Sequence, residues 1–399
     1  MGLQAWKAWL ILMIFTLGTS IVSPLLPIYQ HIFHLSKGST VLIFAIYTLA
    51  VIPSMLLLGQ LSDQLGRKRV IWPAMAALTT ASILLGSAIS PVTLYLGRLI
   101  QGLALGAFLG TCTAYVVDLA PPQAKALAAM LAAVSFRLGF GLGPGLAGAM
   151  AQYLPHPLSL PFLFHIFLMA LGMIILHRTP ETIANRQFRG ISVSIGIPAS
   201  QKAPFFLFIA PSAFILTVLD STVLSLAPLF IVEILGYRNL AVIGLVSFLV
   251  LGAGGLSQIP AASVPPKKSI VLGLLWGTTS LYLFFLAARL QNVAFIVIAS
   301  ALIGAAAGLI VKGGVTLCSL IVPIQERGRL LSSFYTACYL GMLVPLGTGY
   351  LADRIGLFKA MLALCLTLTA IALILSLGTS RLVPCSLPEI KDSLKTQQP

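Results

Sequence analysis

The sequence predicts an all-α membrane protein of twelve transmembrane helices, arranged as two pseudo-symmetric six-helix bundles. Three observations predict it. Of 399 residues, 58% are hydrophobic and only 8% charged, whereas a soluble domain carries about 25% charged residues. Apolar runs of about 20 residues, enough to cross ~30 Å of hydrocarbon, recur along the chain. Proline, serine and glycine positions then repeat at one offset. Pro27 and Pro228, Ser20 and Ser221, Pro122 and Pro323, Pro144 and Pro345, and Gly148 and Gly349 are each 201 residues apart.

The expected spans are 6–28, 40–61, 70–90, 92–117, 126–151, 160–177, 204–229, 239–261, 270–288, 293–321, 330–350 and 358–379. The first follows a single charge, Lys7. It is too long for a signal-peptide core and has no clear small-residue cleavage site, so it is expected to be retained. Several spans contain Gly and Pro, which membrane helices tolerate because neighbours re-satisfy the freed backbone groups. The longest polar stretch, Arg178 to Lys202, divides the chain near its middle. The expected domains are therefore an N-terminal bundle, 1–178, a linker, 179–203, a C-terminal bundle, 204–380, and a tail, 381–399.

Loop charge gives the expected orientation. One side gathers Lys7, Arg67, Lys68, Arg69, Lys125, Arg178, Arg186, Arg189, Lys202, Lys267, Lys268, Arg327, Arg329, Arg381, Lys391 and Lys395. The other holds only Lys37, Arg238, Arg289, Arg354 and Lys359. Basic loops stay cytoplasmic, so both termini are expected inside, in a cell membrane of the bacterial inner-membrane type. The same rule accounts for the net charge of +15 without nucleic acid. The five cysteines lie at no metal or redox spacing, the histidines at no paired metal spacing, and no Walker loop, catalytic triad, zinc site or dinucleotide loop is present. An enzyme, a metal site, a cofactor and direct use of ATP are therefore not expected.

The loop after the second span reads Gly59-Gln60-Leu61-Ser62-Asp63-Gln64-Leu65-Gly66-Arg67-Lys68-Arg69. It is a tight turn at Gly66 with an acid before it and a basic cluster after it, and Asp63 can pair with Arg67. The fourth span carries Arg98-Leu99-Ile100-Gln101-Gly102. An arginine inside an apolar helix is costly and is a functional hypothesis by default, the alternative being a side chain that snorkels to the headgroups. The fifth reads Gly139-Phe140-Gly141-Leu142-Gly143-Pro144-Gly145-Leu146-Ala147-Gly148, a string of small residues that lets another helix approach closely. Arg137 just before it is a second intramembrane charge.

These strings resemble the major facilitator superfamily. The loop is similar to its cytoplasmic signature G-x-L-x-D-x-x-G-R-K, with Gly59, Asp63, Gly66, Arg67 and Lys68 in place, and Gln64 departing where Arg is common. The resemblance implies a latch between the halves, joined by an acid at the end of the fourth helix, where Asp118 stands. Arg98 and Gln101 match R-x-x-Q-G, whose arginine the family implicates in proton coupling. Gly139, Gly143, Pro144 and Gly148 match the antiporter motif G-x-x-x-G-P-x-x-G-G, with Ala147 departing. The resemblance thus implies a drug/proton antiporter-like transporter that exports a small organic compound by alternating access. An importer by uniport or proton symport, a lipid flippase and a transporter-like sensor are the alternatives.

Asp220 is the one acid well inside a span. Loss of hydration favours the neutral form of a carboxyl group, the property a proton carrier needs. Its string Leu219-Asp220-Ser221-Thr222 resembles a drug-antiporter motif of the family's first helix, where this chain has Thr19-Ser20. Asp220, Arg98 and Arg137 are therefore the proton-coupling candidates, with Arg98, Arg137 and Lys312 as possible ion-pair partners of Asp220. Lys312 and Gln101 are the substrate-cavity candidates. One central acid against three intrahelical bases favours an anionic or zwitterionic substrate. The expected partners are a small-molecule substrate, protons and the lipid bilayer, with the protein a monomer.

Overall fold

The computed structural model describes residues 2–58, 61–183, 190, 196–198, 201–323 and 326–378. Gly59, the tail and most of the linker centre lie outside the described residues. Regular structure among the described residues is helical. Eleven helices are long and apolar enough to cross a membrane: α1 Leu3–Ile32, α2 Lys37–Leu58, α3 Arg67–Gly86, α4 Pro91–Asp118, α5 Pro122–Tyr153, α6 Leu160–His177, α7 Lys202–Glu233, α9 Pro266–Leu290, α10 Ala294–Leu320, α11 Arg327–Ile355 and α12 Leu357–Leu377. Between α7 and α9 lies a shorter apolar helix, α8, Leu240–Leu256. It stops before the expected end at 261. Ser257 and Ile259 turn the chain, and a 3-10 turn starts at Pro260, which has no N–H to continue an α-helix.

Three helices break along their length, each beside a proline. α1 is helical over Leu3–Gly18, loosens, passes through a 3-10 turn at Ser23–Leu25 and resumes over Leu26–Ile32. α7 changes at Leu226 between Ala210–Ser225 and Ala227–Glu233. α11 breaks between Arg327–Gly341 and Val344–Ile355. In α5, Pro144 sits inside an unbroken stretch, Lys125–Tyr153.

The 201-residue repeat is visible in the packing. α5 packs against α8 and α11 against α2, so advancing each helix by six positions converts one pair into the other. Both contacts use the repeated glycine. A Cβ on Gly148 would lie 2.4 Å from the Leu240 carbonyl and 2.8 Å from Gly244 Cα. One on Gly349 would lie 3.2 Å from Gly38 Cα and 3.1 Å from the Val41 side chain. Helix backbones approach this closely only where no side chain intervenes.

Two turns take a positive φ that only glycine adopts freely. Gly66 has φ 109° and ψ 146° before α3, and Gly356 has φ 87° and ψ 151° before α12.

Candidate functional site: charges and freed carbonyls between the helices

Arg98 lies in α4 and is fully buried. It does not snorkel. Its Nε donates to the Ile43 carbonyl and its Nη2 to the Phe44 carbonyl, both at 2.9 Å, and Nη1 donates to Thr19 O at 2.9 Å and to Gln101 Oε1. The guanidinium carbon stands 4.2 Å from the centroid of the Tyr47 ring, a favourable cation–π geometry. Gln101 donates from Nε2 to Gly18 O at 2.9 Å. Gly18 and Thr19 are where α1 loosens, so their carbonyls lack regular helical partners. Arg98 and Gln101 fill that need from α4. Gly102 makes it possible, since a Cβ there would sit 2.1 Å from the Tyr47 carbonyl. The R-x-x-Q-G string thus holds the break in α1. Gln101, expected to line a cavity, has its amide committed to this network and is buried.

Asp220 in α7 pairs with Arg137 in α5, Nη2 to Oδ2 at 2.9 Å, both side chains buried. Of the three basic partners the sequence allowed, Arg98 is bound to carbonyls as above. Lys312 donates to the Val264 carbonyl in the turn before α9 and does not reach Asp220. That bond, with Asp220 paired to Arg137, corrects the expectation of a Lys312–Asp220 ion pair. Arg137 fits because Gly254 and Gly255 on α8 leave room: a Cβ on Gly254 would lie 2.4 Å from the guanidinium. The pair joins the first half of the chain to the second. It is incompletely satisfied: Asp220 Oδ1 and Arg137 Nε have no hydrogen-bond partner among the described residues.

The prolines free two further carbonyls, and α1 serves both. Pro144 cannot donate to Phe140 O, and Ser20 Oγ donates to that oxygen. Pro228 cannot donate to Leu224 O, and Ser23 Oγ donates there while also meeting Ser247 Oγ at 2.9 Å. Buried carbonyls require such partners. The antiporter-like glycines lie against the same stretch of α1. A Cβ on Gly139 would be 2.0 Å from Thr16 Oγ1, and one on Gly143 would be 2.0 Å from Leu17 O.

At the basic face, Arg67 binds Asp63 at 2.6 Å, Asp118 at 3.0 Å and Ser62 Oγ at 2.8 Å. Lys68 reaches the Thr179 carbonyl at 2.7 Å. Glu181 accepts from the backbone N–H groups of Arg67 and Lys68 at 3.0 and 3.1 Å, capping α3. All these residues precede the linker centre, so the cluster ties α3 and α4 to the segments that follow α2 and α6.

At the opposite face the bonds cross between halves. Gln30 donates to Glu233 at 3.0 Å, and Lys37 Nζ lies 3.4 Å from Glu233. Gln152 accepts from the Leu240 N–H at 2.8 Å. Asp353 accepts from the N–H groups of Lys37 and Gly38 at 2.7 and 3.0 Å. Deeper, Tyr47 Oη contacts Met342 Sδ at 3.5 Å.

Sequence reasoning missed Ser20, Ser23, Glu181 and Asp353. The serine roles depend on which helix faces a proline, which no local spacing shows. Asp353 had a signal: Leu351-Ala352-Asp353-Arg354-Ile355-Gly356 repeats the pattern of Leu61 to Gly66.

Broken helices, a buried ion pair and two repeated halves define a multi-pass helical membrane protein. Residues 8–345 match the family model of the Major Facilitator Superfamily, and the chain belongs to that family. It is a transporter rather than an enzyme. Among solved structures, a POT family transporter in complex with 5-aminolevulinic acid superposes with TM-score 0.79 at 10% identity, covering 97% of this chain and 96% of that one. A peptide transporter POT in complex with alafosfalin gives 0.76 at 12% identity, covering 95% of each. At such identities the likeness is one of fold. Two curated relatives are named triacylglyceride transporters. The one from Mycolicibacterium hassiacum is 30% identical over 152 residues, 38% of this chain and 28% of the relative. The one from Mycolicibacterium smegmatis is 36% identical over 80 residues, 20% of this chain and 14% of the relative. The chain thus matches less than a third of either relative's length.

Proposed function

We propose that this transporter exports a small organic compound in exchange for protons, by rocking of two bundles, residues 1–178 and 204–380, about a midplane site. The observation that carries the reading is the buried Arg137–Asp220 pair, which crosses between the halves with an oxygen and a nitrogen left over. Ionised Asp220 holds either Arg137 or the basic group of a substrate, and Arg137 takes an acidic group of the same molecule when the pair opens. Protonation of Asp220 removes the charge that the substrate needs. Binding of substrate and binding of the proton become alternatives at one place, which is the requirement for exchange. Arg98 serves this reading as a fixed positive charge that holds the break in α1, and the glycines from Gly139 to Gly148 let α5 slide against α1 and α8. With the basic loops cytoplasmic, protons enter from the face of Lys37 and Glu233. The test is transport into proteoliposomes with and without a pH gradient. Uphill movement that vanishes when the gradient is collapsed supports exchange; movement indifferent to it sinks the reading in favour of uniport.

A second reading takes its support from the relatives named triacylglyceride transporters. In it the substrate is an apolar or amphipathic lipid. The same vesicles, loaded with labelled glycerolipid beside labelled carboxylate-bearing metabolites, separate the two readings by which label moves.

A further inference from the structure

Asp353 opens the turn between α11 and α12, and its context copies that of Asp63. Leu61, Asp63 and Gly66 recur as Leu351, Asp353 and Gly356 at the same spacing. The two glycines share the same backbone region, and each caps the following helix. One turn lies on the face of the basic loops and the other on the opposite face. The same local device therefore stands at both ends of the helix stack.

What the two carboxylates hold differs. Asp63 binds Arg67 within its own half, and its side chain is 65% exposed. Asp353 spans the halves: its two oxygens take the N–H groups of Lys37 and Gly38, the first residues of α2. Those amides have no partner within their own helix, and the end of a helix where they lie favours negative charge. Glu181 makes the same two-pronged cap on α3, but from the start of the linker just past α6. Beneath Asp353 the backbones of α2 and α11 close up. A Cβ on Gly38 would lie 2.3 Å from the Tyr350 ring. Alternating access requires this face to part in each cycle.

We infer that Asp353 is a gate residue, whose carboxylate clasps the start of α2 to hold the two halves together at the face opposite the basic loops and releases it once per transport cycle. Its partner is the backbone of α2 rather than a side chain. Lys37 Nζ goes to Glu233 instead.

The experiment places a cysteine at Val41, buried beneath this contact, in a chain whose native cysteines are replaced by serine or alanine. Its reaction with a membrane-impermeant maleimide is timed in membranes exposing the Lys37 face. Asp353→Asn should raise the labelling rate severalfold, and Asp353→Glu should restore most of the slow rate. Should Asp353→Asn fail to accumulate, the backbone donor is removed instead. Lys37→Pro deletes one N–H at a helix start, where proline is tolerated, and Lys37→Ala controls for its side chain. Faster labelling in Lys37→Pro than in Lys37→Ala supports the clasp. Equal labelling for parent and Asp353→Asn, or for the two Lys37 variants when Asp353→Asn does not accumulate, overturns it. The readout needs no substrate or pH gradient, so its failure is separate from failure of the exchange reading.

Discussion

At the scale of single residues the sharpest test is Asp220, whose one hydrogen-bonded partner among the described residues lies in the other half of the chain. Replacing it with Asn leaves Arg137 charged and buried without its anion. Breaking a buried pair from one side costs about 3–5 kcal/mol of stability, so Asp220→Asn should melt lower in detergent as well as lose uphill transport. The double variant Asp220→Asn with Arg137→Gln removes both charges and should recover much of that melting temperature while still failing to accumulate substrate. Full uphill transport by Asp220→Asn would assign coupling to another group. Ser20 and Ser23 give a second prediction. Each satisfies a carbonyl that a proline has freed. Ser20→Ala and Ser23→Ala should each cost about 1–3 kcal/mol, the penalty of a buried acceptor left alone, measured by thermal unfolding. Ser159→Ala, whose Oγ bonds the Gly86 carbonyl at a half-buried helix start, should cost less.

Residue identity alone exposed Asp220, Arg98 and Arg137, because charge in hydrocarbon is rare enough to notice. It did not say which base meets the acid. That choice was made by Gly254 and Gly255, far along the chain, which open the space Arg137 occupies. Nor did it show that Arg98 needs no carboxylate: its charge rests on carbonyls that only a broken α1 and the approach of α2 bring together. The Lys312–Asp220 pairing failed for the matching reason. A lysine beside two glycines reads the same whether it meets an acid or the turn before α9.

At the scale of elements, α1 and α5 are packed to contact along Gly139 and Gly143. Gly143→Ala puts a methyl group 2.0 Å from a backbone oxygen of α1, an atom that cannot swing aside. Gly145→Ala meets only the Phe248 side chain, at 3.3 Å. Overpacking of the first kind costs about 1–3 kcal/mol. Gly143→Ala should therefore lower thermal stability and transport together, and Gly145→Ala should leave both near the parent. If the two variants behave alike, α1 and α5 are looser than their contact distances. Pro144→Ala tests a different property of the same helix. It returns an N–H to Phe140 O, displaces the Ser20 hydroxyl and stiffens α5 at that turn. Its expected signature is slowed transport with unchanged or higher melting temperature. The helices themselves were legible from apolar run length, since hydrocarbon sets that length directly. The breaks in α1, α7 and α11 were legible only as prolines. Where a chain actually parts depends on which neighbour offers a hydroxyl or an amide to the freed carbonyl.

Across the whole molecule, the Asp63 cluster and the Asp353 clasp stand at opposite faces. Asp63→Asn removes one of the two acids that fix Arg67, while Asp118 retains the other. The protein should still insert, and transport rate should fall severalfold in vesicles at equal protein amount; equal rates for Asp63→Asn and parent would reduce the motif to loop packing. The two-part architecture was readable in advance because the prolines and glycines that recur at 201 residues are the ones that bend helices or let them touch.

The bond from Ser23 to Leu224 joins two positions separated by that same 201 residues. Each is the counterpart of the other, so the contact lies on the approximate two-fold that relates the halves. In a dimer of identical chains such a position must face itself, and a hydroxyl there would meet a second hydroxyl. A single chain holding both copies is free of that demand. It can set a donor on one side and only an acceptor on the other. The buried pair follows the same logic: the counterpart of Asp220 is Thr19 and that of Arg137 is Cys338. Two copies of the pair would have given a centre unchanged by half a turn, suited to a symmetric guest. With a single copy, the centre has a positive and a negative end, and the proposed exchange would present a passing molecule with two unlike poles.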